Sequence, residues 1–149
     1  MKLAIEESLK SIPEHSDKAD PLVGAIVTTK DGEILASAHR GELRVGEHCE
    51  FTLIERKLRQ LNLSECVLYV TLEPCVDEAI KLPKRDCSTN ISKARISTVY
   101  IGMRDPNPKV ENEGVKFLTG QDIKIIDFPA HLEAEIRQSN AQFIRHYLK

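Results

Sequence analysis

Apolar residues along this chain fall into short runs of two kinds, and their alternation sets the order of elements. Residues 2–10 carry Leu3, Ile5 and Leu9 and read as a short helix, ended before Pro13, whose ring cannot continue one. Residues 22–28 (LVGAIVT) form a compact β-rich run. Lys30-Asp31-Gly32 has turn chemistry, and residues 33–38 (EILASA) read as the hairpin partner. Past Gly46 a helix is expected over about residues 48–60, with Phe51, Ile54, Leu58 and Leu61 at helical spacing. Residues 67–72 (VLYVTL) read as a buried strand, residues 73–84 as a loop, and a helix runs through Cys87 to about Lys93. Residues 98–102 (TVYIG) are another strand, followed by the turn Asp105-Pro106-Asn107-Pro108. A short helix over 114–119, a strand over 123–126 and a closing helix over 130–147 complete the reading.

A hairpin implies an antiparallel pair, and the later alternation of helix and strand implies parallel strands joined by crossover helices. The sum is an α/β fold: a mixed five-stranded sheet with helices on both faces, in one domain spanning residues 1–149.

Composition narrows the function classes without naming one. Hydrophobic residues are 41% and charged residues 30%, ordinary for a soluble globular protein. A net charge of -2 and only 5% aromatic residues argue against a nucleic-acid partner, which favours a basic face. No segment reads as a membrane span or a secretory leader, so no membrane partner and a cytoplasmic address are expected. Without a secretory signal, the four cysteines point to metal binding or burial rather than to disulfides.

Three pieces carry chemistry: His48-Cys49-Glu50, Pro74-Cys75 and Cys87. Imidazole and thiolate are zinc donors, and a catalytic zinc keeps three protein ligands and one open position. His48, Cys75 and Cys87 supply such a set, and Glu50 is the nearby carboxylate that moves a proton to and from the activated water. Residues two apart diverge by about 200° in mid-helix, so His48 and Glu50 converge only if a helix begins there. A second H-x-E, His131-Leu132-Glu133, has no cysteine after it and reads as an ordinary helix start. The order of H-x-E, then Pro-Cys, then a further cysteine is a known zinc-deaminase signature. Its two cysteines usually lie three apart; here they are twelve apart, so a loop must bulge between them. Cys49 and Cys66 read as buried packing residues, with Cys66 an alternative third ligand.

These segments resemble the cytidine deaminase superfamily, and most closely its riboflavin-biosynthesis deaminase branch. The resemblance rests on Pro21-Leu22-Val23-Gly24-Ala25, Gly46-Glu47-His48-Cys49-Glu50, Thr71-Leu72-Glu73-Pro74-Cys75 and Asp105-Pro106-Asn107-Pro108. It implies a three-layer α/β/α fold, one Zn2+ per chain on His48, Cys75 and Cys87, Glu50 as proton shuttle, and a homo-oligomer, most simply a dimer. The riboflavin branch also has a widened gap between its cysteines. Where that branch shows Asn before the Pro-x-Val-Gly segment, this chain has Asp20, as deoxycytidylate-type deaminases do; a carboxylate only accepts hydrogen bonds.

The expected reaction is hydrolytic deamination of a pyrimidine or nucleotide, first a diaminopyrimidine ribotide. The alternatives are a cytidine or deoxycytidylate deaminase, a zinc-stabilised module without turnover, and an editing deaminase for nucleic acid. Candidate substrate contacts are Asp20, His39 at the end of the second strand, and Lys84 and Arg85 (with Lys81 nearby) as partners for a phosphate.

Overall fold

The computed structural model describes residues 1–77 and 85–148. Five strands form one sheet in the order β2-β1-β3-β4-β5: β1 (Gly24–Thr28), β2 (Ile34–His39), β3 (Val67–Leu72), β4 (Thr98–Met103) and β5 (Lys124–Asp127). β1 pairs antiparallel with both β2 and β3, whereas β3, β4 and β5 run parallel. The expected mixed α/β sheet is therefore what forms, with element ends shifted by a residue or two.

Strand residues alternate between two cores, one on each face. Ala25, Val27, Leu68, Val70, Val99 and Ile101 pack with Cys49, Leu53, Ile91 and Leu118 from the helices of one face. Ile26, Tyr69, Tyr100 and Met103 pack with Ala4, Ile5, Leu132 and Ile136 from the other. Tyr69 and Tyr100 are register partners and stack at 4.6 Å. The second face carries α1 (Lys2–Ser8) and α5 (Ala130–Ser139). α1 lies so close to β1 that a Cβ on Gly24 would sit 2.2 Å from the Ala4 carbonyl oxygen, so only glycine fits there.

The first face carries α2 (Cys49–Phe51), α3 (Cys87–Lys93) and α4 (Glu113–Gly120). α2 does not run on as an α-helix to residue 60. It widens into a π-helical segment, Thr52–Lys57, in which the Leu58 N–H donates to the Leu53 carbonyl at 2.8 Å. The wider turn changes which residues face the core. Leu53 is fully buried, while Leu61, expected on the apolar face, is 53% exposed.

The closing helix also differs from expectation. It breaks at Asn140, giving α5 and a short α6 (Ala141–Arg145). The buried Asn140 amide accepts from the Leu22 N–H at 2.7 Å and donates to the Leu22 and Ile136 carbonyls at 3.3 and 3.0 Å. Ser139 Oγ also donates to the Ile136 carbonyl, at 3.0 Å. Side chains thus take a backbone acceptor, a known way to bend or end a helix. Among the described residues no helix is long and apolar enough to cross a membrane.

Replacing Asn140 by Ala leaves the Leu22 N–H and C=O without these partners. Urea unfolding of Asn140→Ala is expected to show a loss of about 1–3 kcal/mol at unchanged slope; an unaltered midpoint would show that Asn140 does not pin the C-terminal segment.

Candidate active site

Two helix N-termini and one strand exit meet at a point. His48 is the N-cap of α2 in extended conformation (φ -70, ψ 146), so Glu50, the second residue of the helix, lies within the same end turn. Just before it, the Glu47 carboxylate is gripped by Arg56 from the π segment, with Nε to Oε1 at 2.6 Å and Nη2 to Oε2 at 2.9 Å. Cys87 opens α3, whose N-cap Asp86 accepts from the Thr89 N–H at 2.7 Å. Cys75 lies three residues beyond β3, where its carbonyl accepts from the Ser88 N–H at 3.1 Å.

This brings His48 Nδ1 to 3.3 Å from Cys87 Sγ and 3.8 Å from Cys75 Sγ, with all three donor atoms within 4.8 Å of one another. Tetrahedral zinc with ordinary Zn–N and Zn–S bonds needs donor separations of about 3.5–3.8 Å. The donor chemistry and the spacing fit. The twelve-residue gap between the cysteines is no obstacle, because Cys75 and Ser88 are joined by backbone.

Electrostatics already favour thiolate at Cys75. The hydrogen bond from the Cys87 thiol outweighs burial and, with the His48 imidazole, holds Cys75 down at about 5. The same contact pushes Cys87 up, and the bond to Cys75 raises His48. Glu50 is 4% exposed, and burial lifts its carboxyl above the usual range. Its Oε2 accepts a hydrogen bond from Cys49 Sγ at 3.3 Å. Cys66 is buried away from this group, as packing; His131 is exposed on α5 and Glu133 pairs with Arg137.

One buried carboxylate holds the strand exit in place. Glu73 Oε1 accepts from the N–H groups of Asp105 (3.0 Å) and Asn112 (3.1 Å), and Oε2 from that of Val115 (3.1 Å). The loop after β4 is thereby tied to the segment that ends in Cys75. At Gly114 a Cβ would lie 2.2 Å from the Pro74 carbonyl oxygen, so α4 starts against that same segment. Asp105 does form the expected rigid turn, accepting from the Asn107 N–H at 2.9 Å. It also lines the cavity, where burial raises its carboxyl.

A cavity of about 260 Å3 opens over the cluster. His48, Glu50, Cys75, Leu72 and Val23 line it on one side, and His15, Asp20, Arg40, Phe143 and Tyr147 on others. Asp20 is there as expected, but its carboxylate is engaged: it accepts from the N–H groups of Glu14 and His15 at 2.7 and 2.8 Å and bonds His15 Nδ1 at 2.8 Å. His39 does not line the cavity. Its Nδ1 bonds Glu7 at 2.8 Å and lies 3.2 Å from Glu42. Arg85 is exposed and is not among the lining residues; Lys81 and Lys84 lie outside the described residues. Arg40, Phe143 and Tyr147 carried no sequence signal, because each joins the site only through tertiary packing.

The family model described as the cytidine and deoxycytidylate deaminase zinc-binding region matches residues 1–103. The chain belongs to this deaminase family. Riboflavin biosynthesis protein RibD of Bacillus amyloliquefaciens is 30% identical over 130 residues, covering 84% of this chain and 31% of that protein. A tRNA-specific adenosine deaminase of Aquifex aeolicus is 37% identical over 82 residues, 51% of each chain. The crystal structure of the Thermotoga maritima diaminohydroxyphosphoribosylaminopyrimidine deaminase/5-amino-6-(5-phosphoribosylamino)uracil reductase superposes with a TM-score of 0.79 at 34% identity, covering 99% of this chain and 40% of that one. The chain spans about a third of the length of the RibD relatives it matches. Zinc is the metal of this deaminase family, and the His/Cys/Cys cluster is the group that could hold it.

Asp20 gives the site's loop a pH signature. Burial would raise its carboxyl, but the bonds from His15 and Glu14 and the Arg40 charge bring it from 3.8 to about 2. A lowered folded value stabilises above the unfolded one and is lost as pH falls through the folded one. Wild type is therefore expected to exceed Asp20→Asn by roughly 1–2 kcal/mol above pH 4, the gap closing towards pH 2. Denaturation curves at pH 6, 4, 3 and 2 check this; a gap independent of pH would refute it.

Proposed function

We propose that the chain is a hydrolytic deaminase that replaces an exocyclic amine on a pyrimidine-type nucleotide with a carbonyl and releases ammonia. The preferred substrate is a diaminopyrimidine ribotide of the kind named for the RibD relatives. The observation that carries this reading is Glu50: a buried carboxylate beside the donors His48 and Cys75 that, among the described residues, forms no ion pair with a lysine or arginine. A purely structural metal has no use for it.

His48, Cys75 and Cys87 would hold the zinc, which when bound would acidify a water. Glu50 takes the water's proton and returns it to the departing amine, and its raised carboxyl suits both halves of that task. The ring carbon gains the water oxygen and its bond to the exocyclic nitrogen breaks; one water hydrogen leaves with the amine as ammonia, and the other passes to the adjacent ring nitrogen as the carbonyl forms. Val23 and Leu72 offer the ring apolar surface, and Arg40 and His15 lie among the polar lining.

A cytidine or deoxycytidylate substrate is the second reading, favoured by the family description and by Asp20. The engaged carboxylate of Asp20 supports a loop-holding role more than a direct sugar contact. Under either reading a phosphate contact from Lys84 or Arg85, a cytoplasmic setting and a homodimer are part of the proposal. The exposed Leu43 and Val45 beside the H-x-E segment offer apolar surface for such a pairing.

Ammonia release is measured from cytosine, cytidine, cytidine and deoxycytidine monophosphates and the diaminopyrimidine ribotide, with metal analysis alongside. Glu50→Gln is expected to keep one zinc per chain and lose about 10²–10⁴-fold in kcat, whereas Cys87→Ser loses the metal. Zinc-loaded wild type that releases no ammonia from any of these would leave the non-catalytic module standing instead.

A further inference from the structure

The floor of the cavity and its far wall come from different parts of the chain. His48, Glu50 and Cys75 lie within residues 1–103, the stretch that defines the family. Phe143, His146 and Tyr147 lie beyond it, on α6 and the turn that follows, and line the same cavity. They reach it because Asn140 breaks the closing helix and ties its second half to Leu22, next to the cavity-lining Pro21 and Val23.

These rings have no evident duty in the core. Ile144 is the α6 residue that packs against the buried cluster of the second face, and Phe143 and Tyr147 are not part of either cluster. They brace each other instead: Phe143 and Tyr147 meet edge to face at 5.5 Å, and His146 meets Tyr147 at 4.9 Å and 89°. A braced pair of aromatic rings costs little side-chain entropy to present and offers a flat apolar surface. The floor offers imidazole, sulfur and carboxylate, groups suited to the reacting amine. Val23 and Leu72 beside it give a ring apolar contact, but among the described residues that side of the cavity presents no aromatic face.

We propose that Phe143 and Tyr147 are specificity-determining residues that bind the planar ring system of the substrate, and so select which heterocycle is presented to the floor. This rests on the deaminase reading above. The division of labour follows the chain: the reactive floor is built from the shared family segment, and the selecting wall from the segment outside it.

The sequence contains no tryptophan, so a single introduced indole reports alone. In full-length, zinc-loaded Glu50→Gln protein, Tyr147→Trp is titrated with cytidine monophosphate and with the diaminopyrimidine ribotide. Leu61→Trp, exposed beyond the end of the π segment, serves as the control. Saturable quenching at position 147 and none at position 61 is expected. In the active protein, Phe143→Ala and Tyr147→Ala are expected to raise KM about 5- to 50-fold. kcat should stay within about threefold and zinc at one per chain, and Tyr147→Phe, which keeps the ring, should restore KM.

Wild-type turnover with unchanged KM in both alanine variants overturns the aromatic wall and leaves the deaminase reading intact. So does an equal loss of kcat and kcat/KM. Saturable quenching without turnover by wild type overturns the activity and leaves the wall as a ring-binding site. Neither quenching nor turnover overturns both.

Discussion

For three donor atoms from three separate elements to share one ion they must converge, and His48, Cys75 and Cys87 do so to within 4.8 Å, with the Glu50 carboxylate buried beside them. Helices meet this constraint end-on. Starting α2 at His48 lets the imidazole and Glu50 share one end turn, and starting α3 at Cys87 places a sulfur at a second such end. Each end also exposes backbone N–H groups, which favour thiolate: the Cys87 N–H points at Cys75 Sγ from 3.4 Å. The parallel pairing of β3 and β4, with α3 crossing between them, delivers Cys75 to that point.

Much of this was legible in the sequence because it is local. The hairpin, each strand and each short piece that carries a candidate donor left a pattern within a few residues, and the resemblance in TLEPC and DPNP pointed the same way. What escaped was non-local. Asn140 bonds Leu22 across 118 positions, and nothing in the apolar spacing of residues 130–147 announces a break. The π segment escaped because a widened turn still alternates apolar and polar positions; only the exchange of Leu53 for Leu61 reveals it. Glu73 read as one letter of a motif, although its role depends on three N–H groups that are 32 to 42 residues away.

The residues expected to touch substrate are placed unevenly, for a similar reason. Asp20 reached the cavity, yet its loop had already claimed its oxygens. His39 sits at the strand end assigned to it but turns to the acidic pair Glu7 and Glu42. Polar side chains near a site are read from sequence as free hands; in the fold most are already holding something. The side chains that line the cavity from α6 are unremarkable in sequence and become informative only by placement.

The widened turn of the helix after His48 has a consequence for how the domain tolerates change. An α-helix advances by about 100° per residue, so each single insertion or deletion swings one end of a helix against the other. Here the leading tip faces the donors while Leu53 and Leu58 anchor the trailing body in the core. Thr52–Lys57 sets the angular phase between the two. Trimming one residue to recover regular winding would give a better-formed helix, and would rotate Glu50 off its bearing.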